Sequence, residues 1–380
     1  MSSTLLDPRV IDASTLIPRL TSNIYLPIAV EGQADVAGNA SVGPVYMIDR
    51  VDESSTSFGA NSAMHRIVQA VLDRGAGPVI ATVSAKGTVP TLAERQAAWA
   101  KLESDESVRL RLTDSELQAD LAALAVSAGN ADLVYNKQIA IVGLPSGTGK
   151  SGLISGAAAI AASPAGATRS CLVAPGVFDQ NGIFFGGSYA AACVAAEVAK
   201  NADPGNDLDL WQVPLLTGIE KDGNGLPVFR RGVVAGAAVD DYEDLLQGGV
   251  SPLQPARVPG GVMTTHLRTT YITNSTFDNL YTRVIVDQIF VDVKNYIYDN
   301  NFLRAGNTQT TRNRIKSGVE AVLLERRTWI EPVLQADGAM GYNVSVSPSA
   351  DYRQVIVGYE GTVVRGINTV KVAANLSIPV

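Results

Sequence analysis

The chain has 380 residues, more than one compact core usually holds, so two or three domains are expected. Apolar residues make up 46% and charged residues 18%, a globular composition that excludes a disordered chain. The formal net charge is −7 and the Lys and Arg residues are scattered, which excludes a nucleic-acid binder, since that needs a basic footprint to neutralise phosphates.

The two cysteines, Cys171 and Cys193, sit in apolar surroundings and read as buried thiols acting as small hydrophobes. They are too few for a disulfide framework, and their usage fits a reducing cytoplasm. Met1 to Pro8 has no basic segment leading into an apolar core, so no secretory signal is expected. No apolar stretch reaches transmembrane length.

Residues 1–45 read as an extended arm. Short apolar runs (Leu5-Leu6, Val10-Ile11, Leu16-Ile17, Ile24-Tyr25-Leu26) are broken by Pro8, Pro18 and Pro27. A helix follows, with Ala63, Met64, Ile67, Val68, Val71 and Leu72 in one stripe and Asn61 or Ser62 as cap. His65 beside this stripe reads as a packed residue rather than a ligand.

Strands and helices then alternate. Strands are expected at 78–83, 108–112, 138–142, 170–173 and 211–216. Helices are expected at 91–103, 115–126, 149–162 and 189–200, the second capped by Thr113 or Asp114. This alternation predicts an α/β layer with a mainly parallel sheet. The continuously apolar strands Ile139–Val142 and Cys171–Val173 fit a sheet covered on both faces.

The character changes near residue 225. A strand-rich stretch punctuated by Gly and Pro runs to Tyr271. A helical hairpin follows, 278–303 and 310–327, broken at Gly306-Asn307. Beyond it Tyr342, Val344 and Val346, then Val355, Val357 and Tyr359, alternate with smaller or more polar residues. The last run is the most regular. Val370, Val372, Ala374, Leu376, Ile378 and Val380 form one apolar face of a period-two strand. Such a strand needs a sheet to join, in its own subunit or in a neighbour.

Gly143 to Ser151 imitates a phosphate-binding loop, following a strand and preceding a helix. The spacing is off by one: counting back from Gly149-Lys150 puts Leu144 at the first glycine position. No uninterrupted apolar strand ending in Asp follows to hold magnesium. The loop reads as a turn before the next helix with Lys150 solvated, and a nucleotide-binding protein using it is the alternative. His266 has no nucleophile-elbow setting, and the acidic run Asp240–Asp244 lacks the spacing of a calcium loop and reads as a solvated helix start. Glu325-Arg326-Arg327 reads as a helix end with cations near the dipole.

Several segments resemble the tail sheath proteins of contractile phages and related injection machines. They are Phe58–Met64 leading to Gly75–Val79; Gly187–Ala192 leading to Pro214–Ile219; Leu245–Ser251; and Arg268–Thr273 followed by Asp278 and a long helix. The resemblance covers about residues 58–380 by order and spacing, and the first 45 residues match less well. It implies a mixed α/β and α+β fold. An α/β middle layer is joined to a C-terminal domain of helical hairpin and β-strands, with extended N- and C-terminal arms. The expected divisions are an arm at 1–45, an α/β domain at 46–225, a domain packing toward the tail tube at 226–366, and a linking strand at 367–380.

The resemblance also implies a structural subunit, not an enzyme, with no cofactor and no metal. Copies would stack as six-membered rings around an inner tail tube protein, with baseplate and tail terminator proteins as further partners. Nucleic acid is not among the implied partners, nor is a membrane in the resting state. Assembly would occur in a host cytoplasm, giving a virion tail whose contraction drives the tube through a cell envelope. Val370, Val372, Leu376, Ile378 and Val380 would form the intersubunit strand.

Overall fold

The computed structural model describes residues 26–134, 136–201, 208, 210–234, 237–256, 260–273, 278–300, 302, 307–326, 342–348 and 355–361. Val370, Val372, Leu376, Ile378 and Val380 lie outside these residues, as does the first part of the expected N-terminal arm.

The strands are β1 (Ile28–Ala34), β2 (Val45–Ile48), β3 (Val79–Lys86), β4 (Leu110–Thr113), β5 (Ile139–Gly143), β6 (Ser170–Ala174), β7 (Val177–Asp179) and β8 (Phe184–Phe185). They continue with β9 (Gln212–Val213), β10 (Leu216–Ile219), β11 (Arg231–Val234), β12 (Ala237–Asp240), β13 (Val250–Pro255), β14 (Val262–Thr264), β15 (Tyr342–Pro348) and β16 (Val355–Gly361). The helices are α1 (Val51–Phe58), α2 (Ala63–Leu72), α3 (Leu92–Glu103), α4 (Gln118–Leu133), α5 (Lys150–Ile160), α6 (Pro164–Ala167), α7 (Gly187–Lys200), α8 (Asp241–Gln247), α9 (Leu280–Asp299) and α10 (Gln309–Glu325).

One nine-stranded sheet, in the order β2-β3-β1-β4-β5-β6-β13-β14-β9, organises the main body. Its central pairs are parallel, while β2, β14 and β9 pair antiparallel. The apolar strands split their side chains by period two. Ile139, Ile141, Cys171 and Val173 join the core under α2 and α7, and Ala140, Val142, Leu172 and Ala174 join the core under α3, α4, α5 and α8. Both thiols are buried, and burial pushes each up to about 12.

Two expectations change. Residues 28–34 are not part of an extended arm: β1 lies between β3 and β4, in register with both. The sheet also runs past the composition change at residue 225, because β13 pairs with β6 and carries β14 and β9 with it.

Local chemistry sets the helix starts. Thr91 and Glu94 form a reciprocal capping box at α3, and the Ser62 side chain accepts from the His65 backbone at α2. His65 is buried, with Nδ1 3.0 Å from the Ser54 hydroxyl. Asn279 accepts from the backbones of Tyr281 and Thr282 at α9, and Thr308 from that of Thr311 at α10.

A second body lies beyond the sheet. Ile285, Ile289, Val293 and Tyr296 of α9 pack with Ile315, Val319, Val322 and Leu323 of α10. The antiparallel hairpin β15–β16 lays Tyr342, Val344, Val346, Val355, Val357 and Tyr359 on the same core. Gly318 lets the two helices meet, since a Cβ there would overlap the Tyr296 ring. Among the described residues no helix is long and apolar enough to cross a membrane.

Candidate assembly site

A doubly wound sheet leaves a crevice where its strand order reverses, outside the carboxyl ends of the strands. Here the reversal falls between β1 and β4, and the protein's own side chains fill it. Arg95 Nη1 donates to Glu31 Oε1 at 2.8 Å and Asp114 Oδ1 at 2.7 Å, and Arg95 Nε lies 3.1 Å from Asp120 Oδ2. The Thr113 hydroxyl and the Trp99 indole also donate to Glu31. The Gln33 backbone donates to Asp114 Oδ2 at 2.6 Å, an approach that Gly32 permits because a Cβ there would sit 2.8 Å from that oxygen. Thr113 and Asp114 do not cap α4. They serve this cluster, and α4 starts later, behind Leu117 with no side-chain cap.

The loop Gly143–Ser151 is a second place where α/β proteins hold anions, and it too is internally satisfied. The Gly147 backbone donates to Glu220 Oε1 at 2.6 Å. Lys150 is not simply solvated. Its ammonium lies 2.8 Å from Asp241 Oδ1 and 2.6 Å from Asp244 Oδ2, and these bonds, Asp241 first, push it up to about 12. The acidic run and the loop lysine, each suggestive alone, are each other's partners. Leu144, at the first glycine position, is buried against Gly156, and Gly143 packs on the Gly187 backbone, so the loop closes on α5 and α7. His65, His266 and the acidic run do not converge. No cluster of three or more His, Cys, Asp or Glu suited to a metal occurs among the described residues.

Among the described residues, backbone is left unpaired at a sheet edge. Among the described residues β15 and β16 pair only with each other. A two-stranded sheet is marginal alone and presents unpaired N–H and C=O groups along both sides. Its apolar face is only partly covered: Val344 is buried, whereas Tyr342, Val346, Val355, Val357 and Tyr359 are half-buried.

Arg326 caps the end of α10, where the sequence placed a helix end, and it is buried there, bonding Asp292 through Nε and Nη2, both at 2.8 Å.

No family model and no curated protein matches the chain. Solved structures do. The chain is similar to one in the anti-feeding prophage baseplate, with a TM-score of 0.67 and 12% identity over 96% of this chain and 98% of that one. It is similar to the sheath tail protein of Desulfitobacterium hafniense, with a TM-score of 0.62 and 12% identity over 92% and 99%. It is also similar to a chain of the PVC sheath complex, an extracellular contractile injection system in its contracted state, with a TM-score of 0.62 and 14% identity over 96% and 97%. At these identities the likeness is one of fold: the chain has the fold of sheath tail proteins.

Two predictions follow from the filled ligand places. Burial, then Asp114, hold the Glu31 carboxyl above its usual range, against the pull of Arg95. A carboxyl raised in the folded state contributes stability that is complete below its unfolded-state pKa and is lost as pH rises through the folded-state value. Arg95→Met raises Glu31 further and leaves three acids without their cation. Urea denaturation should show a loss of about 3–5 kcal/mol at pH 7.5 that shrinks toward pH 5. A pH-independent loss would contradict the cluster's charge state. For the loop, equilibrium dialysis should find no saturable magnesium-ATP binding. Lys150→Ala should cost no more than about 1 kcal/mol, because Lys150 is 37% exposed.

Proposed function

We propose that the chain is a structural subunit of a contractile tail sheath, a part of a phage-like virion or injection particle. In this reading copies stack as six-membered rings around an inner tail tube, abut a baseplate and a terminator, and contract to drive the tube through a cell envelope. The observation that carries the reading is the joint presence of the sheath tail protein fold and a two-stranded hairpin with both outer edges unpaired among the described residues. The internally filled crevice and loop support a structural role over a nucleotide-binding one.

The linkage is proposed as strand addition. The period-two segment ending in Val370, Val372, Leu376, Ile378 and Val380 extends the β15–β16 sheet of another copy, and the N-terminal arm serves a second neighbour. Main-chain bonds supply affinity, and the apolar face sets register on the α9–α10 platform. Burial at about 1.5–3 kcal/mol per large side chain is of the same order as ordering the segment, about 1–2 kcal/mol per residue. One linkage is therefore marginal, and repetition through the lattice makes it strong. Contraction then needs rigid bodies, unbroken connectors and interfaces with two stable arrangements, and no reacting group.

Deleting the residues after Asn368 tests this. Negative-stain microscopy of the full chain is expected to show hollow tubes of uniform width. The truncated chain should keep the far-ultraviolet circular dichroism and thermal midpoint of the full chain and form no tubes. Tubes from the truncated chain would overturn the linkage.

A further inference from the structure

Apolar contact between the two bodies ends early on α9. Leu280, Tyr281 and Val284 belong to the main-body core, and from Ile285 onward the buried apolar side chains belong to the second core. Beyond that point the helix meets the main body through polar and ionic contacts. Asp287, Phe290 and Lys294 fall on one stripe, at i, i+3 and i+7. Their partners come from the end of the sheet where β4, β5 and β6 begin. Arg169 bonds Asp287, Lys137 lies 4.1 Å over the Phe290 ring, and Glu106 lies 2.9 Å from Lys294.

The first of these contacts is unlike the others. Arg169 is 1% exposed and Asp287 4%. The guanidinium meets the carboxylate with two parallel bonds, Nη1 to Oδ2 at 2.7 Å and Nη2 to Oδ1 at 3.0 Å. Arg169 is held in turn by the Gln138 carbonyl at 3.1 Å and by Asp132 at 3.0 Å, and Arg283 donates to Asp287 at 2.7 Å. A bidentate pair adds a directional constraint to the packing beside it. Buried ion pairs are weak sources of stability and better attested as devices that specify one arrangement.

We propose that the Arg169–Asp287 pair is a lock that fixes the α9–α10–hairpin body in one orientation on the main sheet, with Asp287 as its positioning residue. The pair is one of several contacts between the hairpin's body and the main sheet, beside the buried start of α9 and the Phe290 and Lys294 contacts, so it shares any force applied at the hairpin. The functional consequence rests on the sheath reading: an unlocked subunit carries its linkages on a body that swivels instead of levering the main sheet. The lock itself does not rest on that reading.

Spin-label distance measurements on the isolated full-length subunit separate the two. With labels at Ser155 of α5 and Ser347 of β15, both exposed, the wild type should give one narrow distance distribution. Asp287→Asn should broaden that distribution at least about twofold while the far-ultraviolet circular dichroism is unchanged. Arg169→Lys keeps the charge but loses the fork, and should reproduce the broadening if Asp287→Asn fails to fold. Asp287→Glu, which keeps the charge, should recover part of the narrow distribution. An unchanged distribution in both Asp287→Asn and Arg169→Lys would overturn the lock, and so would a loss of circular dichroism without broadening, which would make the pair a contributor to stability alone. Because the subunit is read before any assembly, this outcome is independent of whether the chain forms tubes.

Discussion

Leu280, Tyr281 and Val284 lie in the core of the nine-stranded sheet, and Ile285, Ile289, Val293 and Tyr296 of the same helix lie in the core of the second body. A helix of 20 residues is about 30 Å long, so one rigid element is embedded at both ends in different packing environments. The second body depends on it. A two-stranded hairpin has too little apolar face to stand alone. It is held because α9 and α10 offer a platform, because Arg326 ties α10 back to Asp292, and because Asp287 ties α9 to Arg169. The β15 and β16 edges, unpaired among the described residues, are thus carried by a chain of contacts that ends at the main sheet.

The main sheet has the winding that serves ligand binding elsewhere, yet both places where an anion or cofactor would sit hold side chains of the protein itself. Arg95 draws three carboxylates into the strand-order reversal. Glu220, Asp241 and Asp244 satisfy the glycine loop and its lysine. These contacts brace the sheet and the starts of α5 and α8. What the described residues leave without a backbone partner is instead the outer edges of the β15–β16 hairpin.

Much of this was readable from local pattern. The apolar runs of β5 and β6, the stripes of α9 and α10 and the alternation of β15 and β16 each carry their signal within a few residues. What was missed depends on partners far along the chain. β1 was read as part of an arm because Pro8, Pro18 and Pro27 break the apolar runs that lead up to it. Glu31 is tolerated at 0% exposure only because Arg95, Trp99 and Thr113 reach it from distant segments. Thr113 and Asp114 looked like caps because their type suits caps, but tertiary hydrogen bonds outcompeted that local use. Lys150 and the acidic run stand about ninety positions apart, so neither reveals the other. Helix α1 was not read at all: Asp52, Glu53 and a run of Ser and Thr hide its single apolar anchor, Phe58.

The central claim is that the β15–β16 sheet is completed by strands from other copies of the chain. High-resolution cryo-electron microscopy of the assembled tubes tests it most directly. The account predicts continuous density for a strand beside the hairpin that traces to residues 370–380 of a different subunit. Density that leaves both edges bare, or that traces the added strand to the same subunit, would contradict it.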